Sequence, residues 1–148
     1  MITAAGPYHL QSAVESDFDF LYHVACTAMH DYVDAIWGWD EEFQRNQFRD
    51  NFRLGEWQLI VIDGRRVGGV GTRLSPNEIF LANIYLLPEY RGRGVGSSII
   101  GRLQRLGIET GRPVLLNVLT SNTDAYRLYL RLGFHVVQST DEKRLMST

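Results

Sequence analysis

The segment 84–96 reads IYLLPEYRGRGVG, and it decides the fold. Its apolar start ends at Pro88, which cannot donate to a sheet ladder. Then come three glycines at alternate positions, Gly92, Gly94 and Gly96, and an apolar stripe with helical spacing. This order predicts a strand, a glycine-rich turn and a helix. Because N–H groups at a helix start lack intrahelical partners, and glycines lack the Cβ atoms that would block a pyrophosphate, the turn predicts a phosphate-binding loop.

The spacing of these glycines differs from both common nucleotide-binding motifs. A dinucleotide site has the pattern G-x-G-x-x-G, whereas the glycines here are each two residues apart. A Walker loop ends in Gly-Lys-Ser or Gly-Lys-Thr, which this segment lacks. Taken alone, the glycines predict either a phosphate cradle or merely a tight turn.

The residues before this segment predict two helices and a hairpin. Ser16, with Asp19 three positions later, has the pattern of a capping box, and Asp40 is a second helix-start signal. Asp63 and Gly64 suit a tight hairpin turn because glycine accepts positive φ. The predicted elements are a strand at 8–13, a helix after Ser16, a corner at 36–39, a helix after Asp40, and strands at 59–62 and 67–74.

The residues from 78 onward alternate between strand and helix patterns. Residues 114–119 are apolar except for Asn117, which predicts a strand buried on both faces beside a parallel neighbour. Strands followed by alternating strands and helices predict a three-layer α/β fold with a mixed sheet, and no linker divides the single domain 1–148. The other predicted elements are a strand at 78–87, a helix from Val95 to about Gly111, a helix at 123–132, and strands at 134–137 and 143–146.

Composition limits the classes of function. Apolar residues form 45% and charged residues 22% of the 148 residues, which is typical of a folded globular domain. No apolar run approaches the roughly 20 residues needed to span a bilayer, and residues 1–6 lack a secretory signal, so a cytoplasmic protein without a membrane partner is expected. Cys26 is the only cysteine and the histidines form no short ligand pair, so no metal is expected.

Charge is unevenly distributed along the chain. Up to Glu56 there are ten acidic residues and three arginines, and from Trp57 onward seven acidic residues and twelve basic ones. This asymmetry predicts an anionic ligand on the later part and a cationic ligand near the earlier part, although two solvated faces that differ explain it equally well. The pI of about 6.1 and the lack of a dense basic stripe disfavour nucleic acid as the main partner.

Two motifs give the chain a resemblance to a known family. The pattern R-x-x-G-x-G at 91–96 resembles the acyl-CoA signature of the GNAT N-acetyltransferase superfamily. The pattern N-x-x-A-x-x-L-Y-x-x-x-G-F at 122–134 is similar to the family's closing motif, at the expected distance from the first. The resemblance covers 78–137 well and 8–73 only through the order of elements. It implies a GNAT-like acyl-CoA N-acyltransferase fold, whose mostly antiparallel sheet has a V-shaped opening between its central parallel strands.

The resemblance also implies a ligand and an activity. The co-substrate is acetyl-CoA, the acceptor is a primary amine on a small molecule or a peptide, and the acetyl group moves by direct transfer in a ternary complex. The backbone of 84–86 would hold the pantetheine arm, and 94–99 would wrap the pyrophosphate. The residues implied to bind the cofactor are Ile84, Tyr85, Leu86, Arg91, Gly92, Arg93, Gly94, Val95, Gly96, Ser97, Ser98, Ile99, Asn122 and Tyr129.

Two residues are implied to act on the thioester. The N–H of Leu86 would hydrogen-bond the thioester oxygen and stabilise the oxyanion that develops as the amine attacks. Tyr129 would be the general acid that protonates the departing thiolate. Without the motif, Tyr129 is a core tyrosine on an apolar helix face, and Asn122 is an ordinary helix N-cap.

The sequence departs from several GNAT relatives at Asn117, where a strand glutamate often helps to deprotonate the acceptor. An amine with a lysine-like pKa of about 10.4 is mostly protonated at pH 7, so a base is needed. Asparagine cannot take a proton at neutral pH, and the base therefore stays open. The candidates are Glu78, Asp31, Asp34 and His30, or a water chain that ends at one of them.

The acceptor is expected between the first two helices and the strands, where aromatic and acidic residues favour a cation. The candidate acceptor-binding residues are Asp34, Trp37, Trp39, Glu41 and Tyr85. The simpler alternative is that both tryptophans pack the helix corner into the core. An alternative function is a non-catalytic acyl-CoA sensor or interaction module. The resemblance also makes a homodimer plausible.

Overall fold

The computed structural model describes residues 2–3 and 6–148. The elements in chain order are β1 (Ile2–Thr3), β2 (Gly6–Ser12), α1 (Phe18–Trp37), α2 (Glu41–Asn51), β3 (Trp57–Ile62), β4 (Arg65–Leu74), β5 (Ile79–Leu86), α3 (Val95–Thr110), β6 (Val114–Leu119), α4 (Thr123–Arg131), β7 (His135–Ser139) and β8 (Lys143–Ser147). Short 3-10 turns occupy Glu15–Asp17, Leu54–Glu56 and Pro88–Tyr90.

The described strands form one sheet in the order β1-β2-β3-β4-β5-β6-β8-β7. Strands β5 and β6 pair in parallel, from Ile79 opposite Val114 to Leu81 opposite Leu116. The pairs β1–β2, β2–β3, β3–β4, β6–β8 and β7–β8 are antiparallel. The predicted α/β fold with a mixed, mostly antiparallel sheet is confirmed, whereas the V-shaped opening stays a prediction.

Contacts divide the chain into two compact units. The first comprises the residues up to Gly71 together with Asn83–Val95, and the second comprises Thr72–Ala82 together with Gly96–Thr148. Strands β4 and β5 contribute residues to both units. The single-domain organisation stays a prediction.

In the first unit, helix α1 packs against β3 and β4. A Cβ atom added at Gly69 would lie 2.3 Å from Leu21 Cδ2, so the glycine allows α1 its close approach to β4. The Phe18 ring is tilted against that of Phe48 and perpendicular to that of Phe52, in the α2 region, with ring centroids 5.6 and 5.2 Å away. The buried cluster beneath consists of Ala13, Leu21, Trp57, Leu59 and Val61.

In the second unit, β6 buries alternate residues. Val114, Leu116 and Val118 are buried, whereas Asn117 is exposed and Leu115 is half-buried. The prediction that this strand is buried on both faces is therefore wrong, because only one of its faces is covered completely. The prediction of a parallel neighbour is confirmed by the pairing with β5.

The predicted start of α1 is wrong by a short distance. Ser16 lies inside the 3-10 turn Glu15–Asp17, and the residue that precedes the helix is Asp17. The Asp17 carboxylate instead accepts a hydrogen bond from the Val14 backbone N–H at 2.9 Å. The capping-box pattern therefore marks the right place in the chain but assigns the cap to the wrong residue.

The other local signals are mostly confirmed. Asp40 caps α2, accepting from the Phe43 N–H at 3.0 Å. Asp63 and Gly64 both have positive φ, at 52° and 72°, in the turn between β3 and β4. The predicted corner at 36–39 begins too early, because α1 continues through Trp37 and ends at Gly38.

Candidate active site

The end of β5 carries the residues predicted to hold the pantetheine arm. Ile84, Tyr85 and Leu86 are half-buried there. The next residue, Leu87, donates its N–H to the Val67 carbonyl oxygen at 2.8 Å, so the chain stays attached to β4 as the strand ends. The 3-10 turn that follows begins with proline, which stops the strand as predicted.

The glycine loop, residues 91–94, joins this turn to α3. Gly92 and Gly94 have φ of 72° and 86°, a conformation that favours glycine. A Cβ atom added at either position would meet no atom within 4 Å. The glycines are therefore required by the backbone of the turn, and the space beside them is open enough for a ligand to approach.

Helix α3 begins directly after this loop. Val95, Ile99 and Ile100 are buried, whereas Gly96, Ser97 and Ser98 in the first turn are half-buried. The first N–H groups of an α-helix have no intrahelical acceptor and form the positive end of the helix dipole. The glycine loop and the N–H groups at the start of α3 can therefore bind an anionic group such as a pyrophosphate.

In the second unit, helix α4 carries the remaining residues of the predicted site. The Asn122 side chain caps the helix, accepting from the Ala125 N–H at 3.3 Å. Tyr129 lies two turns further on, half-buried, with its ring 5.9 Å from that of Phe134. The cap thus has the structural role that Asn before a helix predicts, and it fixes the start of the helix that presents Tyr129.

The Tyr129 hydroxyl has no hydrogen-bond partner within residues 6–148. Burial raises the pKa of this phenol above its ordinary value of about 10. The group therefore stays protonated at neutral pH and keeps a proton to donate. Tyr129 also differs from a tyrosine packed in the core, because the hydroxyl of a core tyrosine usually has a hydrogen-bond partner.

The candidate acceptor residues of the first unit are joined by hydrogen bonds. The Trp39 indole donates to Glu41 at 2.9 Å, and the Trp39 backbone N–H donates to Asp34, also at 2.9 Å. Glu41 also accepts a hydrogen bond from the Tyr22 hydroxyl, at 2.8 Å. We refer to Tyr22, Asp34, Trp39 and Glu41 as the corner network.

The two tryptophans do not pack into the core. The Trp37 side chain is 54% exposed, and Trp39 is half-buried with its ring 4.6 Å from that of His30. The simpler alternative for these residues is therefore wrong, because both tryptophans remain partly exposed. The Trp37 indole makes no hydrogen bond among the described residues, so the structure brings Trp39, but not Trp37, into the network.

Hydrogen bonds and burial at this corner shift the pKa values of Glu41, Tyr22 and Cys26. Hydrogen bonds from the Trp39 indole and then the Tyr22 hydroxyl hold the pKa of Glu41 below its usual range. Burial raises the pKa of Tyr22, helped by its contacts with Cys26 and Glu41. Burial also raises the pKa of the half-buried Cys26 thiol, which disfavours a reactive thiolate. The corner therefore holds an anionic Glu41 beside the protonated Tyr22 phenol and Cys26 thiol.

The candidate bases and Tyr85 have ordinary structural contacts. His30 Nδ1 lies 3.1 Å from the exposed Asp31 carboxylate. Glu78 is half-buried, and its backbone N–H donates to the Ser75 hydroxyl at 3.2 Å. The Tyr85 hydroxyl donates to Asn83 at 2.9 Å, on its own strand.

Two residues near the site were missed by the sequence reasoning. Tyr22 lies in α1, and nothing in the residues around it indicates a contact with Glu41. Gly68 is different, because three glycines at 68, 69 and 71 in one strand signal close backbone approach. A Cβ atom at Gly68 would lie 2.2 Å from the Tyr85 carbonyl oxygen, so the backbone of β4 lies close against the end of β5 at this glycine.

A family model identifies the chain. The model for the Acetyltransferase (GNAT) family matches residues 18–134, well over half of the sequence. The chain belongs to the GNAT acetyltransferase family. The match includes the loop 91–94 and the helix that carries Tyr129, so both predicted motifs fall inside the GNAT region.

Curated relatives of this GNAT chain match it over a short segment. The thialysine N-epsilon-acetyltransferases of Bos taurus and Sus scrofa are 45% and 43% identical to it over 56 residues. That segment is 37% of this chain and 33% of each relative. The chain thus aligns with about a third of the length of the curated relatives it matches.

Solved structures share the GNAT fold over nearly the whole chain. The PaiA N-acetyltransferase from Thermoplasma acidophilum, in complex with coenzyme A, has a TM-score of 0.77 and 18% identity, covering 96% of this chain and 98% of that one. The ribosomal-protein-S18-alanine N-acetyltransferase from Escherichia coli has a TM-score of 0.68 and 20% identity, covering 95% and 92%. At these identities the likeness shows the fold.

None of the helices in the part of the chain that the structure describes combines the length and apolar character needed to cross a membrane. Within residues 2–3 and 6–148, no group of three or more histidine, cysteine, aspartate or glutamate side chains is arranged to hold a metal ion.

Proposed function

We propose that this GNAT protein transfers an acetyl group from acetyl-CoA to a primary amine, directly and within a ternary complex. The observation that carries the proposal is the loop at 91–94, whose two left-handed glycines lead from the end of β5 into the first turn of α3. Family membership supports acetyl-CoA as the donor. A structural neighbour that is a coenzyme A complex gives further support.

The cofactor would be held chiefly by backbone groups. The peptide groups of 84–86 would bind the pantetheine arm, and the N–H groups of 94–99 would bind the pyrophosphate. Arg93 is exposed in the same loop and would face the phosphates. Asn122 would contact the cofactor as well as cap α4.

The transfer itself needs one base, one oxyanion donor and one acid. The neutral amine nitrogen bonds to the acetyl carbon, and the Leu86 N–H stabilises the negative charge that develops on the thioester oxygen. The C–S bond then breaks, and the sulfur takes the proton of the Tyr129 hydroxyl. Before this attack the ammonium form of the acceptor loses one proton to the base, which is drawn from Glu78, Asp31, Asp34 and His30, acting directly or through water. After the attack the nitrogen releases a second proton, which replaces the one that Tyr129 gave up.

The acceptor is proposed to be a cation bound near the corner network. Glu41 is held anionic there, and Asp34, Trp37 and Tyr85 complete the proposed binding residues. Aromatic faces and a carboxylate attract an ammonium group. Thialysine is the first amine to test, because the curated relatives carry out that acetylation.

The experiment that tests the proposal compares two glycines of the same conformation. Gly94 and Gly64 have φ of 86° and 72°, and a Cβ at either would meet no atom within 4 Å, so alanine strains the backbone at both without a clash. Calorimetric titration with acetyl-CoA, coenzyme A and NADH should show binding of the two CoA species alone. Gly94→Ala should weaken that binding about tenfold, which corresponds to roughly 1.4 kcal/mol, whereas Gly64→Ala should not.

Other outcomes separate the competing functions. No CoA binding by the folded wild type would exclude both the transferase and the acyl-CoA sensor. Binding without release of free thiol across a panel of amines that includes thialysine would favour the sensor. A homodimer and a cytoplasmic location stay predictions, and light scattering of the purified chain would check the first.

A further inference from the structure

We infer that the Arg91 side chain positions the end of β5 for catalysis, an inference that rests on the function proposed above. The Nε–H of Arg91 donates to the Leu86 carbonyl oxygen at 2.9 Å. Leu86 is the last residue of β5 and the proposed donor to the thioester. The guanidinium therefore reaches back over the 3-10 turn Pro88–Tyr90, whose own closing bond runs from the Arg91 N–H to the Pro88 carbonyl at 3.2 Å.

The peptide between Leu86 and Leu87 is held at both of its polar atoms. Its oxygen accepts from Arg91, and its N–H, that of Leu87, donates to the Val67 carbonyl at 2.8 Å. Because a peptide group is planar, fixing its oxygen and its N–H fixes the whole plane. Arg91 therefore helps to fix the orientation of the Leu86–Leu87 peptide at the end of β5.

The preceding peptide carries the N–H that would face the thioester, and packing confines it. Its carbonyl oxygen, that of Tyr85, lies 2.2 Å from where a Cβ of Gly68 would stand, and the Leu86 Cα lies 3.2 Å from the same point. The backbone of β4 thus bounds this peptide on one side. Arg91 restrains the adjoining peptide, and together they set the direction of the Leu86 N–H.

The atom that Arg91 uses separates this role from phosphate binding. Glutamine carries its amide nitrogen as many bonds from Cα as arginine carries Nε, so Arg91→Gln keeps a donor for Leu86 but loses the charge. Lysine has a methylene group at that position, so Arg91→Lys keeps the charge and loses the donor. Methionine reaches as far as the Nε position but carries neither the donor nor the charge. The positioning role and the phosphate role therefore predict opposite orders of activity.

The test measures kcat and the acetyl-CoA Kd of the three variants with thialysine, or with whichever amine the wild type acetylates. Arg91→Met and Arg91→Lys should lose about tenfold in kcat with Kd nearly unchanged, because small misplacement of a reacting geometry lowers the rate of the chemical step. Arg91→Gln should restore most of the kcat that methionine loses. A loss confined to Kd, with lysine the best replacement, would overturn the inference.

A shorter acetyl donor, without the pyrophosphate, distinguishes the two roles of Arg91 more sharply. S-acetylpantetheine has the thioester and the pantetheine arm without the pyrophosphate. The advantage of glutamine over methionine at position 91 should persist with this donor. Arg93 is the matched residue, because its side chain has no partner among residues 6–148, and Arg93→Gln should weaken binding of acetyl-CoA but not of S-acetylpantetheine. If the Arg91 effect also disappeared with the truncated donor, the side chain would act through the phosphates.

Hydrogen exchange of the ligand-free protein tests the contact without any activity. The Leu87 amide should exchange faster in Arg91→Met than in the wild type, and Arg91→Gln should restore its protection. If the wild type proved unable to bind acyl-CoA, the proposed function would fail while this measurement still decided the contact. Equal exchange in all three proteins would overturn the inference even in an active enzyme.

Discussion

The glycine loop at 91–94 and the corner network differ in where their geometry comes from. The loop follows from its own residues, since Gly92 and Gly94 take up left-handed backbone wherever the chain requires it. The corner network depends on a bond between Tyr22 and Glu41, which are 19 positions apart. Short-range chemistry can be read from a sequence, whereas a contact between two helices depends on how they pack.

The largest expected effect tests the part of the site that the motif predicts. Tyr129→Phe should lower kcat by about 10² to 10⁴-fold with the acetyl-CoA Kd nearly unchanged, because it removes the proposed general acid and leaves the ring in place. Steady-state rates and calorimetry would check both numbers. Burial raises the pKa of Tyr129, so the wild-type kcat should show no loss of this acid below a pH of about 10.

Tyr126→Phe is the matched control for that prediction. Tyr126 lies on the same helix, three residues earlier, and its ring packs under the Arg144 guanidinium at 4.2 Å. The control should keep wild-type kcat. Full activity in Tyr129→Phe would assign the proton to another group and leave Tyr129 as a packing residue.

The next largest effect tests the close approach of β4 to the end of β5 at Gly68, which the sequence reasoning missed. Gly68→Ala would place a Cβ 2.2 Å from the Tyr85 carbonyl oxygen, and backbone atoms cannot give way as a flexible side chain can. We expect a loss of about 1–3 kcal/mol in unfolding free energy, together with a lower kcat. Chemical denaturation would measure the first. Gly55→Ala is the control, because its Cβ meets no atom within 4 Å and its φ is not positive, and it should leave stability equal or slightly higher.

These two predictions mark the limit of sequence reasoning here. The motifs predict the order of elements from β5 to α4, the Asp40 and Asn122 caps and the Asp63-Gly64 turn, because each depends on residues a few positions apart. Burial of only one face of β6 was not predicted, because the sequence does not show which layers cover a strand. Gly68 lay within reach, since clustered glycines in a strand signal close approach.

A smaller effect compares a cap that was predicted correctly with one that was not. Asp40→Ala should cost about 1 kcal/mol of unfolding free energy, because the side chain accepts from the Phe43 N–H. Ser16→Ala should cost less than about 0.5 kcal/mol, because Ser16 lies in a 3-10 turn and caps nothing. Thermal and chemical denaturation of the two variants would check the difference. Equal costs would mean that the capping box at Ser16 forms in solution after all.

The smallest effect concerns the corner network and depends on pH. Hydrogen bonds from Trp39 and Tyr22 lower the pKa of Glu41 in the folded protein. A carboxylate with a lowered folded pKa contributes stability that is present above its unfolded pKa and lost as the pH falls through the folded value. The unfolding free energy of the wild type should therefore exceed that of Glu41→Gln at pH 7, and the difference should shrink from about pH 5 downward. Because Glu41 is exposed, the difference is expected to be small, and Glu42→Gln, its neighbour without these partners, should show none. A difference that stayed constant down to pH 3 would mean that the amide loses packing rather than charge, and the corner would then be held by shape alone.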